Sequence, residues 1–121
     1  MKLTNTIDMR KRLDKIRKEA IETITKAVKD AGGEIFAAEI TESSTPLISP
    51  DPEDEDNTYT LDKIIYNKKN NKLYFDASNT CNSTSLLTGD VCADALVDIC
   101  EWLEKNKEEI QEWLEEQKVN S

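Results

Sequence analysis

The chain has 121 residues, with 16 basic and 25 acidic side chains for a formal charge of −9, and it is 37% apolar and 34% charged. That is the length of one ordinary domain, with a lean core. The absence of histidine removes His-dependent nucleophilic catalysis and histidine-ligated metal or haem, and three glycines leave no room for a phosphate-cradling glycine-rich loop.

From Leu13 the apolar residues fall at Leu13, Ile16, Ala20, Ile24, Ala27 or Val28, and Ala31, the 3-and-4 spacing of one helix face. A first helix is expected over 6–31. Thr4, Asn5 or Thr6 can cap its start, Lys26 and Lys29 suit its last turn, and Gly32-Gly33 supply the left-handed backbone that ends it. In the next stretch, 34–41, Phe36, Ala38 and Ile40 alternate and read as a strand. Residues 42–57 contain all three prolines and six acidic side chains, which predicts a mobile acidic loop that neither pairs in a sheet nor buries a face.

Two short apolar-rich runs, 59–66 and 72–77, are joined by Asn67-Lys68-Lys69-Asn70-Asn71, where asparagine tolerates positive φ, and form the clearest hairpin. A polar connection over 78–85 leads to a second helix, capped by Thr88 or Asp90. Its stripe reads Cys92, Leu96, Ile99, Leu103, Ile110, and Trp113 or Leu114, with Asn106 in a slot that calls for an apolar residue. A straight helix from there to about Gln117 would be about 42 Å long, against roughly 35 Å for a globule of this length. Either Lys105-Asn106-Lys107 breaks it into a helical hairpin, or the tail over 105–121 projects and a partner covers its patch. The expected fold is therefore α+β in the order α-β-β-β-α: a small three-stranded antiparallel sheet packed by two helices, ending in a long acidic helix or helical hairpin.

Charge is segregated along the chain, at +4 over 1–31, −6 over 32–88 and −7 over 89–121, and six bases against one acid lie between Arg10 and Lys18. The basic first helix suits loose surface pairing with the acidic last one. Direct nucleic-acid binding is disfavoured, because the whole molecule repels a polyanion and no aromatic is interleaved with the bases.

The first twelve residues become more charged rather than apolar, and no window reaches the length of a membrane span. These features, with an odd count of three cysteines, place the chain in the cytosol, soluble and with reduced thiols. Cys92 and Cys100 lie about 12 Å apart along one helix, too far for a disulfide with each other. Cys81, in a polar loop, is the one expected to be exposed, with no base to form its thiolate. The acids Asp51 to Asp56 fit no EF-hand register, since a calcium loop starting at Asp51 would need glycine where Asp56 stands. Ser43-Ser44-Thr45-Pro46 and Ser49-Pro50 read as ordinary loop residues.

No cofactor, no metal and no catalytic set is expected. The make-up resembles that of small accessory proteins of phages and mobile elements. The leading expectation is a non-enzymatic interaction module that docks Ile99, Leu103, Asn106, Ile110, Trp113 and Leu114 against a second copy or another protein. There Asn106 would fix the register, and Trp113 would be the better interface residue with Trp102 buried. The alternative is an inhibitor whose acidic face, Asp94, Asp98, Glu101, Glu108 and Glu112, imitates a phosphate backbone for a nucleic-acid-binding protein.

Overall fold

The computed structural model describes residues 3–40, 47–48 and 58–120. Its elements are α1 (Leu3–Asp30), β1 (Glu34–Ile35), β2 (Leu47–Ile48), β3 (Tyr59–Asn67), β4 (Lys72–Ser78), β5 (Ser83–Leu87), α2 (Ala93–Lys105) and α3 (Lys107–Asn120). The fold is α+β with an antiparallel sheet. Four strand positions run β1-β3-β4-β5, and β2 shares the outer edge of β3 with β1.

The first helix ends as its glycines require. Gly32 and Gly33 take φ of 89° and 105°, Gly32 N–H donates to the Lys29 carbonyl at 3.0 Å, and Gly33 N–H donates to that of Val28 at 2.8 Å. This 5→2 and 6→1 pair satisfies carbonyls that the helix end would leave open. The Gly33 carbonyl then accepts from Tyr66 N–H at 2.9 Å, which lays the chain directly on β3.

The strand expected over 34–41 is shorter than its alternation suggests. Only Glu34 and Ile35 pair with β3. Ala37–Glu39 form a 3₁₀ turn that buries Ala37 and leaves Ala38 exposed, because alanine and glutamate gain little from a pleated surface. In the proline-rich segment, Leu47 and Ile48 pair with Thr60 and Tyr59, and Ile48 is fully buried. So two apolar residues do join the sheet, contrary to the reading of 42–57 as unable to pair. The rest of that segment, including Asp51 to Asp56 and both Ser/Thr-Pro sites, lies outside the described residues.

The β3–β4 hairpin is held by its asparagines. Asn71 adopts φ 58°, its N–H donates to the Asn67 carbonyl at 2.8 Å, and Asn67 Oδ1 accepts from Lys69 N–H at 2.9 Å. A register shift between Leu61 and Lys63 inserts an extra residue in β3. It lets Leu61 and Ile64, three apart, both turn inward. One row across the sheet, Ile35, Ile64, Phe75 and Leu86, is buried throughout.

The fourth strand position was hidden by composition. Ser83–Leu87 pairs with β4, although three of its five residues are hydroxylic. Asn79 makes the connection, its Oδ1 accepting from Cys81 N–H at 2.9 Å and Asn82 N–H at 2.8 Å. Such side-chain turns are a property of asparagine. The sheet is therefore wider than the three strands expected.

After β5, Thr88–Asp90 form a 3₁₀ turn in which Asp90 accepts from Leu87 N–H. The second helix begins later than expected, with Cys92 as an N-cap that makes no side-chain bond. Arg17 fastens α1 to this junction, donating to the carbonyls of Val91 at 2.7 Å and Thr88 at 2.8 Å.

Of the two arrangements the sequence leaves open for its last stretch, the chain takes the broken one, with two helices. At Asn106 the backbone leaves helical geometry with φ −105° and ψ 18°, and the buried side-chain amide donates to the Trp102 carbonyl at 2.8 Å. The side chain is a second donor to that carbonyl, beside the Asn106 backbone N–H at 3.0 Å, and α3 begins at once, with Ile110 N–H donating to the Asn106 carbonyl at 2.9 Å. Residues 107–120 are therefore no projecting tail. Ile110 and Trp113 join the core built from Ala20, Ile24 and Val28 of α1, the inner sheet row, and Leu96, Ile99, Trp102 and Leu103 of α2.

Arg17→Ala should lower unfolding stability by about 1–2 kcal/mol, since a charged donor leaves two carbonyls short of a partner. Asn106→Ala should cost a similar amount, about 1–2 kcal/mol, by deleting a buried hydrogen bond, the Trp102 carbonyl keeping only the backbone N–H of residue 106, and by removing the stop between α2 and α3. Urea titration followed by circular dichroism measures both.

Candidate interaction surface

The six residues expected to form a docking face are spent on the chain's own core. Ile99, Leu103, Asn106, Ile110 and Trp113 are all buried, and Leu114 is half-buried against the same cluster. Trp113 meets Phe36 edge-on, with ring centroids 5.3 Å apart, and its indole N–H donates to Glu39. This corrects the expected surface. The turn at Asn106 carries the stripe of α3 back onto the domain, where Ile110 and Trp113 are buried. Both tryptophans are buried, so Trp113 does not differ from Trp102 in exposure.

The acidic set is arranged differently. Asp94, Asp98 and Glu101 lie exposed on α2, and Glu108 and Glu112 lie exposed on α3. The interruption at Asn106 divides them between two helices, so they do not form the one straight ladder that a single helix would give.

Cys81 is exposed and Cys92 and Cys100 are half-buried. The Cys100 thiol donates to the Ala20 carbonyl at 3.4 Å, and burial, aided by the neighbouring Glu101 carboxylate, pushes its pKa above the ordinary thiol value. It is a small packed group rather than an activated nucleophile. Among the described residues no group of three or more acids and cysteines lies where it could hold a metal ion. An open cleft of about 590 Å³ lies beside Phe36, Glu39, Asp62, Lys63 and Asp76. Its one ammonium is engaged, with Lys63 Nζ 3.6 Å from Glu34 and 4.6 Å from the centre of the Phe36 ring.

The unpartnered surface is on α1. With 28 residues, this helix is about 42 Å long, and the domain core covers it only from about Ala20 onward. Before that point Met9 is 54% exposed, Leu13 49% and Ile16 41%, and these are the exposed large hydrophobics of the described residues. They continue the stripe of Ala20 and Ala27 at spacings of four, three, four, three and four if Thr23 is included, a heptad seam. Arg10 and Arg12 flank it, and Lys11, Lys15 and Lys18 lie on the far side, all exposed. Lys15 approaches Glu19 at 4.0 Å, with both side chains mostly in water, so this pair adds little. The spacing marks Leu13 and Ile16 as part of one helix face without fixing what covers it. At about 42 Å against a globule of roughly 35 Å, the first helix is itself too long for the domain to cover from end to end.

No helix among the described residues is long and apolar enough to cross a membrane. No family model matches the chain, and neither a curated protein nor a solved structure matches it. At pH 8, iodoacetamide should alkylate Cys81 at least about tenfold faster than Cys100, because the buried thiol yields less thiolate and less access; peptide mass mapping over time reads the order directly.

Proposed function

We propose that this chain is a non-enzymatic protein-interaction module whose docking element is the first half of α1. The observation that carries this reading is the seam of Met9, Leu13 and Ile16, exposed on a helix that runs past its own core. Isolated helical segments of this length are marginal in water. An apolar seam on such a segment lowers the free energy only when another surface covers it. The flanking arginines favour an acidic partner surface, and guanidinium groups suit paired contacts with carboxylates. This reading keeps the expected class of function and moves the contact from the last helix to the first. The acidic-mimic alternative draws support only from exposed carboxylates, which any soluble helix carries.

A photo-crosslinking residue placed at Leu13 tests the reading in living cells. A discrete protein adduct at position 13, with none from the same probe at the exposed hairpin residue Lys69, is the expected result. Equal or absent labelling at the two positions would sink it.

A further inference from the structure

We infer that the occupant of the α1 seam is a second copy of this chain, forming a two-fold dimer of antiparallel α1 helices. This inference rests on the interaction reading above and adds the identity of the partner.

The seam is asymmetric along its length. Its first half carries the large side chains Met9, Leu13 and Ile16, and its second half carries Ala20, Thr23 and Ala27. A two-fold axis beside residue 18 sets Met9 against the partner's Ala27 and Leu13 against the partner's Thr23, with Ile16 beside the axis. Met9 and Leu13 then each meet a small side chain, the complementarity that close helix packing needs. A parallel pairing would set large on large at one end and leave a void at the other.

The structure also holds a receptacle at the right place. A groove of about 320 Å³ runs between the second half of α1 and the helices α2 and α3, bounded by Thr23, Ala27, Leu103 and Leu114 among others. Thr23 is exposed and Ala27 half-buried, whereas Ala20 is packed in the chain's own core, so Thr23 and Ala27 are the small positions open to a visitor beside the groove. Its rim bears Asp30 and Glu104 together with Lys26 and Lys107.

Charge selects the same arrangement. The bases that flank the seam are Arg10 and Arg12, and residues 89–121 carry a net −7. Antiparallel overlap lays the basic half of each α1 beside the acidic α2 of the other copy, with Arg12 on the flank that faces Glu104 across the groove. Both contacts occur twice, as an isologous interface requires. The acidic segment 49–57 of the same chain offers charge but no apolar side chain larger than proline, so it could not cover the seam.

Light scattering behind a sizing column, on the full chain, is the test. The expected mass is twice the 13.8 kDa of one chain. Leu13→Asp and, independently, Thr23→Glu should each raise the dissociation constant at least about tenfold with an unchanged circular dichroism spectrum, because both positions are exposed. Arg12→Glu and Glu104→Arg should each weaken the dimer, and combining them should restore it. A monomer at submillimolar concentration overturns the inference, as does a dimer indifferent to both seam variants. The crosslink at position 13 separates the two readings: an adduct of twice the chain mass supports the dimer, whereas an adduct with a different protein leaves the interaction module standing and removes the second copy.

Discussion

The turn at Asn106 governs how this small chain spends its apolar surface. A helix continued straight through that point would carry Ile110 and Trp113 past the edge of the domain. The asparagine prevents this by binding the Trp102 carbonyl with its own amide, which ends one helix and starts the next within a single residue. Two large side chains then close the core on the side of β1, where Trp113 packs on Phe36. In a chain only 37% apolar, the burial of two more large side chains adds to a lean core.

The first helix stands in contrast. It is anchored at Arg17 on the Thr88 and Val91 carbonyls, and beyond that anchor towards its start the core ends. Ala20, Ile24 and Val28 are covered by sheet and α2, while the same seam carried upstream by Ile16, Leu13 and Met9 faces solvent. The molecule thus has a folded acidic body and a basic amphipathic arm. In the proposed interaction, such a distribution of charge would favour an acidic partner surface even though the net charge is negative.

Much of the fold is legible in local signals. The Gly32-Gly33 stop and the asparagine-rich hairpin depend on the conformational preferences of single residues, so the sequence states them without reference to the rest of the molecule. The strand β5 was not legible, because Ser83, Thr84 and Ser85 carry no apolar alternation and pair only since β4 offers an open edge. Leu47 and Ile48 were masked by the prolines and acids around them. The candidate surface was half legible: the seam of α1 is plain in its spacing, but which part of it the domain would cover depends on where α2 packs.

The sequence by itself determined the α+β class, the helix stop, the hairpin and the segregation of charge, because each follows from residues near one another in the chain. It also marked Asn106 as the anomaly in its stripe. Only the tertiary structure decided that this asparagine folds α3 back onto the body, and so that the last helix is consumed and the first left uncovered. The reason is that burial is a competition among all apolar faces for one small core, and its outcome depends on distances between elements that no local pattern contains.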